Sequence, residues 1–537
     1  MSGKIQAMKT ASVVPQSMPA NLADIASENA RLNQENEALK RRVAWFEKQL
    51  FGQKSEKRQS IDNALQLGLL GDIKAPQTEP EGESTTVTYQ RGKGKKIRPD
   101  DCVNDSGLRF GEHVPVKVIT QTPDELTGDD ADQYEVIGTK STFRLAQRPA
   151  SYVVLRYDRL VLKRKHDNAL LPCPAPCNVL DKSLADVSLL AGLLVDKFQY
   201  HLPLYRQHQR LTDSGVMLSR ATLTTLTRRA IELLTPIAHA QLHSVLQSQV
   251  LAMDETPIKA ARAGPGKLKQ SWFWPLYGDK HEVNFTFSTS RGRRHVEKTL
   301  RTRFSGTLLS DGYSAYASYV QANAQLTHAQ CWAHSRRKFI EAEAAHPAAA
   351  REALGMIAAL YKVEAEGDAQ QLDAAQKREY RLRHAKPIVD SVFDWALQQL
   401  ERQTLIPKDP LLNAIGYVRA REVELRVFLE NPAVQLDTNH LERALRPIPM
   451  GRRNWLFCWT ELGAEHVGII QSLITTCRLQ DINPYTYLTD VLLRVGQHPA
   501  SKVEQLTPRL WKAHFADAPF TSDLFTPLPA TKSPIQE

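Results

Sequence analysis

One carboxylate, Glu442, stands among four arginines, Arg443, Arg446, Arg452 and Arg453, in LDTNHLERALRPIPMGRRNWLF; two further acids, Asp254 in VLAMDET and Asp311 in LLSDGY, each follow a short apolar run. An acid closing an apolar strand is costly to bury unless something positive lies against it. Two such acids side by side sharpen the cost, and hard divalent cations, which take carboxylate oxygens, relieve it. A third carboxylate would complete a site for one or two ions, the arrangement that serves in-line displacement at phosphorus. Glu442 has a second reading. Asn439 with Glu442 at the third position after it fits a capping box, in which the Glu closes onto the start of its own helix. On a helix, Asn439, Glu442 and Arg446 share one face while Leu441 and Leu445 point to another. The acid and Arg446 would then look toward one phosphate, with Arg452 and Arg453 on the flanking backbone.

Bringing Asp254 beside Asp311 is a matter of strand order. QVLAMDETPIK, SWFWPLYG and EVNFTFSTS read as three consecutive antiparallel strands, RRHVEKTLRTRF as a crossing helix, GTLLSDGYSAY as a fourth strand ending in an acid, and AQLTHAQCW as a fifth. That is the order of a ribonuclease-H-like fold, in which the ends of the first and fourth strands are neighbours. Residues 241–340 are expected to form the first part of this core. Residues 341–430, rich in Ala, Glu, Leu and Arg, are expected as a helical insertion, and 431–495 as the catalytic helix with the C-terminal part of the core. Residues 496–537 read as a Pro-rich, weakly ordered tail.

Upstream, Leu22, Ile25, Asn29, Leu32, Asn36, Leu39, Val43, Phe46 and Leu50 alternate in steps of three and four, so 21–58 reads as a leucine-zipper coiled coil. Asn29 and Asn36 at a positions favour a parallel homodimer; an amphipathic helix packed on its own chain is the alternative. Residues 1–20 are expected to be disordered, and 59–100, polar and charged, to be a linker. Its basic run Arg91 to Arg98 could touch DNA backbone or simply be solvated. Residues 101–180, with alternation such as SYVVLRYDRLVLKRK, suggest a small β-rich module. In 181–240 a helix, a Gly215 turn, a Ser219 cap and a second helix give a helix-turn-helix-like shape. Arg220, Thr224, Thr227 and Arg228 could face a groove, although two helices packed around a Gly turn serve any helical domain. The fold class is thus multidomain α/β: a ribonuclease-H-like catalytic core with a helical insertion, an N-terminal coiled coil, a small β-rich module and a helix-turn-helix-like region.

In CWAHSRRKF, Cys331 and His334 have the spacing of half a zinc site, with no second pair nearby. They could brace the fifth strand against the catalytic helix or place His334 by the phosphate. Arg336 and Arg337 could face phosphate or merely solvate a helix start. Over the 537 residues Lys and Arg exceed Asp and Glu by 69 to 59, a net charge of +10 that favours a polyanionic partner, nucleic acid above all. The six cysteines are irregularly spaced, which fits a reducing cytoplasm better than a secreted disulfide framework. No run approaches the roughly 18 apolar residues of a membrane span. A cytoplasmic, nucleoid-associated bacterial protein without membrane contact is expected.

The stretches KQLFGQKSEK, KFQYHLPLYRQHQRL, MDETPIK, SDGYSAY, CWAHSRRKF, DTNHLERALRPIPMGRRNWLF and INPYTYLTDVL together resemble the transposases of the insertion sequence 66 family, in that family's order, over most of residues 22 to 492. The resemblance implies an acidic DDE triad carried onto Asp254, Asp311 and Glu442, with Mg²⁺ or Mn²⁺ as cofactor. It implies cleavage of the element's DNA ends and their joining to target DNA, with small accessory proteins encoded alongside. The rival is a catalytically inactive DNA-binding, end-pairing protein derived from a transposase. Such relatives usually carry a zinc module with two Cys-x2-Cys pairs after the zipper. Here that region holds only Cys102, Cys173 and Cys177, so zinc is not expected unless His113 or His166 completes a site. The module at 101–180 is accordingly read as a degenerate zinc-binding one.

Overall fold

The computed structural model describes residues 31, 40, 108–126, 130–148, 151–173, 176, 178–264, 267–300, 304–402, 407–455, 458 and 460–525. The segment 1–20, the zipper at 21–58 apart from Arg31 and Lys40, the linker 59–100, Cys102 and Cys177 lie outside the described residues. The chain divides into two compact units: one includes Arg336–Ala358 and Asp394–Tyr417, the other Lys95–Ser335, Ala359–Phe393 and Val418–Glu537.

The second of these units opens with a β-rich region. Strand β1 (Arg109–Phe110) is followed by β2 (Val116–Gln121), β3 (Tyr134–Arg148), β4 (Ser151–Arg164) and β5 (Leu170–Pro172). β4 lies centrally, with β2 parallel to it and β3 and β5 antiparallel. Ala146, Val153, Leu155 and Tyr157 form its core together with Leu524. That last partner corrects the reading of the C-terminal segment as a weakly ordered tail. Tyr157 donates to Asp523 at 2.9 Å, Ser522 donates to Asp186 at 2.6 Å, and Trp511, on the helix Pro508–His514, donates to Asp490 at 2.6 Å. Buried anchors outweigh the Pro-rich composition up to Phe525.

The helix Val187–Phe198 is buried on nearly every side. Leu204–Asp213 then leads through Gly215 at φ +80° and β6 (Val216–Met217) to the long helix Arg220–Val245, whose N-cap Ser219 accepts from the Thr222 amide. Gly215 accepts from the Gly111 amide at 3.0 Å while β6 pairs with β1, and a side chain at Gly215 would collide with His113. Thr227 does not face a groove: it is 4 % exposed and its hydroxyl donates to Leu223 O within the helix. The long helix also continues past residue 240 to Val245, where it joins the core of the next sheet.

That sheet holds β7 (Val250–Met253), β8 (Thr256–Gly264), β9 (Lys267–Gly278), β10 (Val283–Ser288), β11 (Gly306–Ser310) and β12 (Leu326–Gln330), in the order β10-β9-β7-β11-β12. β9 runs antiparallel to both β10 and β7, and β11 runs parallel to both β7 and β12. QVLAMDETPIK is not one strand but two. β9 is long enough to pair with β7 through Leu276 to Gly278 and with β8 through Lys267 to Phe273, and the chain steps aside between them at Asp254 and Glu255. Gly306, at φ +150°, admits β11 beside β7; a Cβ there would lie 2.4 Å from Gln249 O. Leu251, Met253, Trp274, Leu276, Leu308 and Tyr316 are among the residues of the core on this sheet.

The β10 and β12 ends of the sheet each carry a helix, while β8 forms a further edge beside β9. Along β10 the helix Glu461–Leu479 comes so near that a Cβ on Gly468 would meet Phe285 O at 2.5 Å. Ser472 and Thr476 accept from the amides of Phe285 and Val283, and Gln241 donates to Val283 O. The helix Glu422–Glu430 packs on β12.

Among the described residues between Trp332 and Glu430 the regular elements are all helices. In the larger unit Arg381, on a π-helical turn, is 1 % exposed and is held by Glu364 and the carbonyls of Phe428 and Asn431. In the other unit Trp395 donates to Glu352 and stacks edge-on to Phe339, and His346 meets Asp409 at 2.9 Å. No helix among the described residues is long and apolar enough to cross a membrane.

Candidate active site

Four buried residues make β7, and Asp254 is the first residue beyond it; β11 ends at Ser310, with Asp311 next. Ala252 and Leu309 are registered partners on these parallel neighbours. Each acid lies two residues past that pair, so the two leave the sheet side by side. Asp311 is oriented by the Tyr313 amide, which donates to it at 2.9 Å. Asp254 accepts from the Glu255 amide at 2.7 Å.

Glu442 arrives from the next strand over. Cys331 follows β12, and its thiol accepts from both the amide and the hydroxyl of Thr438, each at 3.3 Å. Thr438 is the N-cap of the helix Asn439–Leu445 that bears Glu442. The Trp332 amide, donating to Leu436 O at 3.0 Å, secures the same approach. The capping box is absent: Asn439 is the first residue of the helix, tied through its amide and side chain to Asp437, and Glu442 does not close onto the helix start. His334 Nε2 lies 4.0 Å from Glu442 Oε1. Cys331 is thus a brace between strand and helix, one of the roles open to it from sequence.

The electrostatics join the three acids. Burial pushes the Asp254 carboxyl up to about 7, and the negative charges of Glu255, Asp311 and Glu442 add to the rise against the Glu255 amide bond. Glu255 is itself raised, by burial and by Asp311, while Tyr316 and Arg291 oppose the shift. Sequence reasoning missed this second layer. Glu255 is 3 % exposed on its side chain, accepts from Tyr316 at 2.6 Å and pairs with Arg291 at 2.5 Å; Arg291 also lies over the Tyr313 ring, 4.3 Å from its centre. The signal was present in the doubled acid of MDET and the two tyrosines of DGYSAY. His440, beside the Tyr277 ring, is pushed down to about 4 by burial.

The arginines divide. Arg443, Arg446 and Arg453 are exposed beyond Glu442. Arg452 donates to Pro257 O and so fastens the helix Pro447–Trp455 to β8. Arg336 and Arg337 are exposed on the part of Trp332–Ala342 that belongs to the other unit. Arg220 and Arg228 are exposed on the first half of the long helix, Arg220 over the Tyr205 ring and Arg228 paired with Glu232 at 2.6 Å.

Among the described residues, no group of three His, Cys, Asp or Glu is drawn together closely enough to hold a metal ion as it stands. The donor chemistry nonetheless fits a hard divalent cation, because a carboxyl crowded by three like charges is the setting that a cation relieves. Asp254, Asp311 and Glu442 are the residues that could hold it.

The sequence profile of the Transposase IS66 family matches residues 182–466, a span containing both strand-end acids, the helical stretch and Glu442. The chain belongs to the IS66 transposase family. The IS66 C-terminal element matches residues 472–509, and the profile described as Transposase C of IS166 homeodomain matches 38–117. Similar proteins of Sinorhizobium fredii (strain NBRC 101917 / NGR234) include Uncharacterized protein y4hP, 28% identical over 506 residues covering 88% of this chain and 89% of the relative. Uncharacterized protein y4jD is 27% identical, with 88% of this chain and 94% of the relative covered. For Uncharacterized protein y4qI the figures are 27%, 91% and 93%. The IS66 match thus extends on both sides of the carboxylates.

Proposed function

We propose that the protein is a DNA transposase that cleaves the ends of its element and joins them to target DNA by phosphoryl transfer on a ribonuclease-H-like core. The observation that carries this reading is the charge coupling of Asp311 and Glu442 to the raised carboxyl of Asp254, on strand ends that the β7/β11 register makes neighbours. The sheet order β10-β9-β7-β11-β12 supports the core assignment. Mg²⁺ or Mn²⁺ held by Asp254, Asp311 and Glu442 would supply Lewis acidity and charge neutralisation at the phosphate. The chain's own residues do the positioning. Tyr313 fixes Asp311, the Cys331 brace fixes the Glu442 helix with His334 beside it, and the exposed Arg446 and Arg453 neutralise DNA phosphates. Arg220 and Arg228 serve DNA binding on the helix-turn-helix-like pair, and Arg336 and Arg337 on theirs.

Glu442→Gln keeps size and hydrogen bonding but removes the charge. Cleavage and joining by it, by Asp254→Asn and by Asp311→Asn should collapse, while binding to element ends persists with a salt slope of about −0.9 per phosphate contacted. Full strand transfer by Glu442→Gln would sink the triad. We further assign homodimer contact to the zipper at 21–58; an unchanged sedimentation coefficient for Leu32→Lys with Leu39→Lys would refute it.

A further inference from the structure

Strand β8 and the part of β9 that pairs with it, Lys267 to Phe273, form a two-stranded ribbon that starts just beyond Asp254 and Glu255. It carries Lys259, Arg262, Lys267 and Lys269, all exposed, and no Asp or Glu occurs from Thr256 to Gly278. Among the described residues no carboxylate pairs with its three lysines. The register divides these cations between two faces. Lys259 lies opposite Gln270 and Arg262 opposite Leu268, whereas Lys269 lies opposite Ala260 and Lys267 opposite Gly264. Side chains alternate along a strand and cross-strand partners share a face. Lys259 and Arg262 therefore belong to one face, and Lys267 and Lys269 to the other. Register shifts on both sides of Arg262, with Ala261 at φ +59°, mark bulges, which add right-handed twist to the ribbon.

The ribbon is also tied to the arginine-bearing segment after Glu442. Arg452 donates to Pro257 O, and the Cys458 amide donates to Lys259 O at 3.0 Å. Chain length sets its reach. Arg262 is eight residues beyond Asp254, at most about 29 Å along the backbone, which is within about one helical turn of duplex (~34 Å) from a phosphate at the carboxylates.

We propose that the β8–β9 ribbon enters the major groove of duplex DNA beside the scissile phosphate. Lys259 and Arg262 meet the backbone on one wall, and Lys267 and Lys269 meet the backbone on the other. That groove, about 12 Å wide, admits a two-stranded ribbon. A ribbon lying flat on DNA uses cations on a single face, whereas a groove offers phosphates to both. Lysines also guard exposed sheet edges against pairing, but a guard does not depend on DNA. The inference rests on the transposase reading, from which it takes its partner.

Binding of the full-length protein to a duplex DNA fragment, followed by fluorescence anisotropy across a salt series, tests it. Lys267→Gln with Lys269→Gln, and separately Lys259→Gln with Arg262→Gln, should each lower the slope of log affinity against log salt by about 1.8, at about 0.9 per phosphate. Lys267→Arg with Lys269→Arg should keep the parental slope. Guanine N7 atoms, which lie in the major groove, should be shielded from dimethyl sulfate by the parent and reactive again with all four residues changed to Gln. Parental slopes in both Gln pairs, as an edge guard requires, overturn the proposal. So does a loss confined to one pair, as a flat ribbon requires, or an unchanged N7 pattern. A slope lost in the Arg pair as well would assign the lysines to the fold and overturn it too. If the parent binds duplex and the variants match it, the ribbon alone is wrong; a parent that binds no duplex sinks the transposase reading with it.

Discussion

The Cys331 thiol receives two hydrogen bonds from Thr438, one from the amide and one from the hydroxyl, and so couples the end of β12 to the first turn of the Glu442 helix. Cys331→Ala removes the acceptor and leaves two buried donors unmet. We expect a stability loss of about 1–2 kcal/mol and, if Glu442 is catalytic, a fall of about 10²-fold in strand transfer, the scale of a small misplacement at a reacting centre. Strand-transfer assays beside thermal melts separate the two effects. Parental activity in a correctly folded variant would show that the brace does not position the acid.

Asp254 makes the metal-free protein pH-sensitive in a stated direction. Its carboxyl titrates near 7 in the fold against an ordinary value of 3.8. Between those limits the folded state holds the proton that the unfolded state has lost, so stability falls as pH rises through the window. The whole effect is at most about 4 kcal/mol. Melting curves in chelator from pH 4 to 8 should show the decline, and Asp254→Asn should flatten it. An equal slope in the variant would locate the proton elsewhere.

Trp511 tests the C-terminal segment. It is 3 % exposed, donates to Asp490, and meets the Tyr487 ring edge-on at 5.4 Å. Trp511→Ala should cost about 3–5 kcal/mol and lower the urea midpoint accordingly. An unmoved midpoint would mean that the segment is dispensable to the fold.

The acids were legible because each directly follows a run too apolar to tolerate it, VLAM before Asp254 and LLS before Asp311. The division into β7 and β8 was not, since nothing local to QVLAMDETPIK reveals that β9 is long enough to pair with both. Glu255 was passed over for a related reason: its partners Arg291 and Tyr316 are distant in sequence and meet it only in the folded sheet. Glu442 stood out against its arginines, but setting aside the capping box needed Thr438, whose place at the helix start depends on Cys331 more than a hundred residues earlier. The C-terminal segment misled through composition; Trp511 and Leu524 carry its order, and isolated apolar residues among prolines leave no periodic trace.

The helices along β10 and β12 bear on how copies of the protein can assemble. Gln241, Ser472 and Thr476 engage the outer backbone of Val283 and Phe285 on β10 and a helix packs on β12, whereas β8, among the described strands, pairs with β9 alone. Strand addition from another copy is thereby opposed along β10 and β12, and the outer side of β8 is where it would have to occur. The same two helices shield the β10 and β12 ends of the sheet from amyloid-like stacking of one copy on another.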